Sequence, residues 1–273
     1  MKKALLLIFC TVLIGFTTSC NDTDSSGPSI IASGNISLTT ENEIPIVENR
    51  DETGTFLLVL NSENQIEFSI VVNDLSASDE LTVAHLHTGD PVSTGAPAIS
   101  LVNGTDIVFQ GNEATGIVQL TEAQVETLLG DDVYVNVHST ENPNGLVRGQ
   151  LDQVIDEAYN VMLSPTNEIP SITDRNDSGT AIFRIIGDKV YYNVSVTNLQ
   201  TGDAITAGHM HSGDATVNGD VQINLELTDD TQLGVTKTMI LDADMLSTIK
   251  TDALYVNVHS TDYAGGLMRG QIR

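Results

Sequence analysis

Basic residues are scarce in this chain. Its 273 residues include 11 Lys and Arg against 37 Asp and Glu, a formal net charge of −26. A phosphate backbone has to be met by clustered Lys and Arg, so nucleic acid is excluded as a partner. A basic patch for an anionic membrane surface is excluded for the same reason. Tryptophan is absent and aromatics make up 4%, too few for a platform on which bases or sugars stack. Cysteine occurs only at positions 10 and 20. The body of the chain therefore has no disulfide of its own and must be held by a hydrophobic core or by metal. Hydrophobic residues, at 40%, suffice for that core, and charged residues, at 18%, are too sparse for a disordered polyelectrolyte.

The N-terminus carries an address. Lys2 and Lys3 precede an apolar run from Ala4 to Phe16, with Thr17, Thr18, Ser19 and Cys20 after it. The apolar run is too short to cross a bilayer as a helix and has the layout of an export signal. It resembles a bacterial lipoprotein signal, which implies removal of 1–19 and lipidation of Cys20. Thr17 departs from that pattern, where Leu is usual. An ordinary secretory signal ending near Ser19 is the alternative. Residues 20–34, polar at first (Asn21 to Pro28), are expected to form a tether.

Beyond the tether, one domain is written twice. Asn42-Glu43-Ile44-Pro45 recurs as Asn167-Glu168-Ile169-Pro170, and Arg50 and Gly54 recur as Arg175 and Gly179. His85-Leu86-His87-Thr88-Gly89-Asp90 recurs as His209-Met210-His211-Ser212-Gly213-Asp214. Tyr134 to Thr140 recurs unchanged as Tyr255 to Thr261, and Arg148-Gly149-Gln150 as Arg269-Gly270-Gln271. Such self-similarity places two domains at 35–152 and 158–273, with a linker at 153–157.

Within each domain the hydrophobic period is two. Ile66, Phe68, Ile70 and Val72 alternate with Glu67, Ser69 and Val71, and Val190, Tyr192, Val194 and Val196 repeat the pattern. Such a strand has one face buried. Phe56 to Leu60 and Ile182 to Ile186 precede these strands across short turns and read as hairpin partners. Thr121-Glu122-Ala123-Gln124 has capping-box form ahead of Val125 and Leu128, and Asp242 stands at the equivalent place. The expected fold is all-β: two tandem antiparallel β-sandwich or barrel domains, each with one short helix.

The ordered elements Ala84-His85-Leu86-His87-Thr88-Gly89, Tyr134 to Ser139, and Gly145-Leu146-Val147-Arg148-Gly149-Gln150 resemble the CHRD domain, named for chordin, and both copies carry them. The resemblance covers most of the chain. It implies extracellular domains of bacterial exported proteins without established catalysis. The cysteine-rich modules of chordin are missing, so a growth-factor-binding role does not carry over.

All six histidines stand at repeat-equivalent positions: His85, His87 and His138, then His209, His211 and His259. Residues i and i+2 of a strand share a face, so His85 and His87 point together. If the strand of His138 is their neighbour, three imidazoles converge. Three neutral imidazoles suit copper or zinc and leave a coordination position open. A fainter resemblance, to the copper site of Cu/Zn superoxide dismutases, lies in the order of H-x-H, V-x-V-H and a late Arg (Arg148, Arg269). The bridging histidine and zinc ligands of that family have no counterpart here, which argues against dismutase activity. Two other readings stay open: a hydrogen-bonded structural cluster and a site for an organic ligand. Arg148 and Arg269 are expected to be buried partners of a carboxylate, with Glu43 and Glu168 in the N-E-I-P motifs as the candidates. Ser139 and Ser260 adjoin histidines but face away from them, which argues against a Ser-His catalytic pair. Acidic clusters such as Asp131-Asp132 and Asp229-Asp230 lack the spacing of a calcium loop.

The sequence thus describes a protein exported to the bacterial cell envelope, at the outer membrane or cell surface, and touching the membrane only through its lipid anchor. It acts as a non-enzymatic binding or scaffold module for an extracellular protein or surface ligand. The alternative is a metal-binding protein with one three-histidine copper or zinc site per domain.

Overall fold

The two-residue hydrophobic period becomes strand at each of the segments that carry it. The computed structural model describes residues 27–273; the expected signal at 1–19 and Cys20 lie outside the described residues. The chain divides into two compact units, with the boundary after Val154.

The first unit contains β1 (Ile30–Thr39), β2 (Thr53–Asn61), β3 (Gln65–Asn73), β4 (Leu81–Thr88), β5 (Pro97–Val102), β6 (Glu113–Gln119), helix α1 (Glu122–Gly130), β7 (Val133–Ser139) and β8 (Val147–Gln150). The strands take the order β5-β4-β7-β8-β1-β2-β3-β6, all antiparallel. β1 and β8 meet at a single ladder position, Thr39 opposite Arg148. The sheet is thus two four-stranded halves hinged at a corner, and the core lies between them. Phe56, Leu58, Phe68 and Ile70 from one half pack in one cluster with Ala84, Leu86, Val135 and Val137 from the other. β1 begins at Ile30, pairing with Asn61, so the tether expected over 20–34 gives way to strand before residue 35. Apolar Ile30 and Ile31 extend the hairpin beyond the repeat match, which begins only at Asn35.

The second unit repeats this plan with β9 (Glu157–Leu163), β10 (Ser178–Ile186), β11 (Lys189–Thr197), β12 (Ile205–Ser212), β13 (Val221–Asn224), β14 (Lys237–Ile240), helix α2 (Ala243–Thr251), β15 (Leu254–Ser260) and β16 (Met268–Gln271). Its halves, β14-β11-β10-β9 and β13-β12-β15-β16, are joined by the Ser164–Arg269 bridge, the counterpart of Thr39–Arg148. β9 starts at Glu157, the last residue of the expected linker. Both expected helices form. The Thr121 side chain accepts from the Gln124 amide while the Gln124 side chain accepts from the Thr121 amide, and the Asp242 carboxylate accepts from the Met245 amide. Two tandem all-β domains, each with one short α-helix, are therefore what the chain forms.

Two strands in the first unit break the buried-exposed alternation, β7 and the short β8. Every residue of β7 is buried. Val133, Val135 and Val137 face the core, while Tyr134, Asn136 and His138 lie on the outer face beneath loops. Its counterpart β15 is buried at every position but His259, which is half-buried. A polar face can be buried only if its groups are hydrogen-bonded, and those bonds define the site.

Candidate metal centre

β4 and β7 are neighbours, with His85 opposite Asn136 and His87 opposite Tyr134. Ala84 and Leu86 fill the core, so His85 and His87 point outward. His138, two residues on from Asn136, is the diagonal neighbour of His85 on that face. In the second unit His209 lies opposite Asn257, and His259, opposite Ala207, takes the same diagonal place. The result is two groups, His85–His87–His138 and His209–His211–His259, each with one ring nitrogen per residue within 4.8 Å of the others.

The hydrogen bonds fix which nitrogens these are. His87 Nδ1 lies 3.0 Å from the Gly95 carbonyl oxygen and His138 Nδ1 3.0 Å from that of Pro143. A carbonyl only accepts, so both Nδ1 atoms carry the proton and both Nε2 atoms present a lone pair. His138 Nε2 is 3.4 Å from His85 Nδ1, which must then be the donor between them. The second unit matches: His211 Nδ1 donates to the Gly219 carbonyl and His259 Nδ1 to that of Ala264, both at 3.0 Å, and His209 Nδ1 stands 3.0 Å from His259 Nε2. His87 Nε2 and His211 Nε2 are buried with no hydrogen-bond partner among the described residues. A buried acceptor left without a donor is costly, and here it occurs at the same atom in both domains.

The loops that supply the carbonyls approach closely. A Cβ at Gly95 would overlap the Thr88 carbonyl oxygen, and one at Gly219 the Ser212 carbonyl. Only glycine lets the strand of the H-x-H motif and this loop run so near each other. Tyr134 stacks on His87 with ring centres 5.1 Å apart, and its hydroxyl accepts from the Gly95 amide. Tyr255 stacks on His211 at 5.0 Å and accepts from the Gly219 amide. On each tyrosine lies the guanidinium of the motif arginine, 3.5 Å from the ring centre for Arg148 and 3.4 Å for Arg269. Each domain thus contains a column: guanidinium on phenol ring on imidazole.

Burial favours the neutral form of His85, His87, His138, His209 and His259. It pushes His85 down to about 4, aided by the neighbouring His138 and His87. His87, His138, His209 and His259 are likewise lowered, chiefly by burial. Neutral imidazole is the form that binds a metal. An ion 2.0–2.1 Å from three nitrogens needs them roughly 3.3–3.5 Å apart. The His85–His138 and His209–His259 nitrogens already stand near that distance, and the third ring has to move by roughly 1–2 Å to complete the set. The donor set fits copper or zinc, with carbonyls behind the rings orienting the ligands.

The arginines and glutamates sit beside this site. Arg148 and Arg269 are each 1% exposed. Arg148 donates to the Asp90 carbonyl; Arg269 donates to the carbonyls of Asp214 and Val217 and to Asn218 Oδ1. Glu43 and Glu168 are buried as well, and their carboxylates accept from Asn136 Nδ2 and Asn257 Nδ2 at 3.2 Å. In both domains the expected glutamate and arginine feel each other's charge. In the second they do so through space, while Arg269 takes its hydrogen bonds from the loop at Asp214 to Asn218.

The CHRD domain matches twice, over residues 35–151 and 159–272. The chain belongs to the CHRD-domain family. No curated protein and no solved structure matches it significantly. Each CHRD domain also contains an ion network, around Arg50 in the first and Arg175 in the second. Arg50 bonds Glu52, Asp79 and Glu141 at 2.8 Å each. Asp79 in turn accepts from Thr140 Oγ1 and the Glu141 amide, pinning the turn that brings Pro143 to His138. In the second CHRD domain Arg175 bonds Asp177 and Asp203, and Asp203 accepts from Thr261 Oγ1 and the Asp262 amide. Sequence reasoning misses the tyrosine under the histidine, the loop glycine and this network. For the tyrosine a signal exists, the unchanged repeat of Tyr134 to Thr140.

Proposed function

We propose that this CHRD-domain chain is an exported, lipid-anchored, non-enzymatic binding protein whose binding element is a copper or zinc ion held by three histidines in each domain. Two CHRD domains support a binding or scaffold role. The observation that carries the metal is the protonation pattern. Two Nε2 lone pairs per site are aimed inward by carbonyls behind the rings, and one of them is buried with no donor. A cluster serving only structure is expected to satisfy that nitrogen. An ion would replace the single proton shared by His85 and His138, and by His209 and His259. Three protein ligands leave a position through which the bound ion reaches an external donor, joining metal binding to a scaffold role. The signal-like N-terminus and Cys20 support anchoring at the cell envelope.

Metal analysis of the purified full chain, after exposure to copper or zinc and removal of loosely held ion, tests this reading. Two ions per chain are expected. A chain that retains no stoichiometric copper or zinc is a scaffold whose histidines only support the fold.

A further inference from the structure

We propose that the His209–His211–His259 site selects copper in the monovalent, cuprous state over zinc and over cupric ion; this deepens the metal-binding reading and rests on it. The donor set points this way first. Three neutral nitrogens converge, and no carboxylate or thiolate joins the group among the described residues. Zinc favours four ligands in a tetrahedron, and cupric ion a tetragonal set of nitrogen and oxygen donors. A monovalent ion is satisfied by three neutral donors and has less charge to neutralise.

The groups behind the ligands point the same way. His211 and His259 donate from Nδ1 to backbone carbonyls, those of Gly219 and Ala264. Where a carboxylate in that position would add negative charge and raise ligand basicity, a carbonyl adds only a dipole. Neither ligand therefore has a hydrogen-bonded anion behind it to offset a second positive charge.

The aromatic column adds a charge of the wrong sign for a dication. Arg269 is buried, and its guanidinium is cationic. It lies 3.4 Å from the centre of Tyr255, which stacks on His211 at 5.0 Å with planes 10° apart. A full positive charge therefore stands one aromatic ring away from a ligand. Its hydrogen bonds go to two carbonyls and an amide oxygen, which satisfy donors without cancelling the charge. Glu168 and Asp214 both sense Arg269. Asp214 is in water, where its field is screened, and Glu168 is pushed up to about 7 by burial, so near neutral pH it is only partly charged. At a range of about 9 Å and an effective dielectric of about 20, removing one unit of positive charge from the ion changes relative affinity by roughly ten- to twentyfold. The same column of Arg148, Tyr134 and His87 stands in the first domain.

The test is a pair of competition titrations on the full chain. Under argon, cuprous ion is titrated against a chromogenic cuprous chelator, and zinc is titrated against a zinc indicator. The expected result is cuprous binding at least about a hundredfold tighter than zinc, the charge effect and the donor-set preference each supplying roughly tenfold or more. Zinc binding as tight as or tighter than cuprous ion overturns the selectivity while leaving a metal site in place. Failure to bind either ion at micromolar concentration overturns the metal reading itself, and the selectivity with it. Arg269→Gln, in a His87→Ala background that isolates the second site, should narrow the cuprous-to-zinc ratio by about ten- to twentyfold. Arg269→Lys, which keeps the charge, should preserve it. An unchanged ratio in Arg269→Gln refutes the electrostatic contribution, and should these variants not fold, the ratio in the unmodified chain decides.

Discussion

The two domains keep the same outer polar face over different cores. In the first, Phe56 and Phe68 meet with ring centres 6.3 Å apart. In the second, the aromatic pair is Phe183 and Tyr192 at 6.0 Å, and the Tyr192 hydroxyl donates to the Leu225 carbonyl. Counting from Gly54 and Gly179, Phe56 corresponds to Ala181 and Leu58 to Phe183, so the aromatic bulk has moved along the strand. Cores tolerate such exchanges when volume is kept. The histidines, the tyrosine and the arginine have not moved, and their distances agree within a few tenths of an ångström. A hydrophobic core can be refilled in many ways, whereas three ring nitrogens converge in few.

That contrast can be broken first at the ligands. His87→Ala should lower metal content from two ions per chain to one, and His211→Ala should do the same. The double substitution should leave none, with β-sheet circular dichroism retained in all three. Loss of both ions from a single substitution would show that the domains do not bind independently.

The ion networks come next. Arg175 pairs with Asp177 and Asp203, all three side chains 3% exposed or less, while Arg50 is 12% exposed and its partner Glu141 44%. Arg175→Ala strands two buried carboxylates and should cost about 3–5 kcal/mol in the second domain. Arg50→Ala also strands two buried carboxylates, Glu52 and Asp79, and should cost the first domain slightly less, because Arg50 itself is 12% exposed against 3% for Arg175. Calorimetry on the full chain reads both as shifts of separate transitions; equal shifts would refute the ranking.

The smallest effect concerns Glu168. Burial, the largest influence, raises it to about 7 against hydrogen bonding from Asn257 and the field of Arg269. An acid whose folded value exceeds its unfolded value binds more protons when folded. Stability therefore falls as pH rises between the ordinary value of 4.5 and about 7, and levels off above. Glu168→Gln, which cannot ionise, should flatten that dependence in the second domain. Melting temperatures between about pH 5 and 8 check this, and a slope that survives the substitution must come from another group.

Much of this was legible in the chain because strands have a short period and the repeat supplies a second reading of each. Alternation at Ile66 to Val72 and Val190 to Val196 located β3 and β11, and the capping residues Thr121 and Asp242 located the helices. The H-x-H spacing placed two histidines on one face, and the repeated third histidine allowed the convergence to be expected. What stayed hidden depends on loops and on distance along the chain. Ile30 starts a strand because Asn61 is there to pair with it. Arg50 and Asp79 are partners 29 residues apart, with no local pattern between them. The expected pairing of Arg269 with Glu168 gave the right neighbourhood. Their hydrogen bonds, however, run to Asn257 and to the loop at Asp214 to Asn218, which no motif reveals.

Most strands of a sandwich have one face on which substitutions are nearly free. The fully buried β7 has none: its valines are fixed by the core, and Tyr134, Asn136 and His138 are fixed by the loops above them. After a duplication, such a strand has few positions at which drift can begin. This accounts for six of its seven residues, Tyr134 to Ser139, standing letter for letter in the second copy as Tyr255 to Ser260, while the seventh, Val133, has changed only to another core residue, Leu254. The doubly sealed strand serves as the molecule's internal record of what the ancestral domain required.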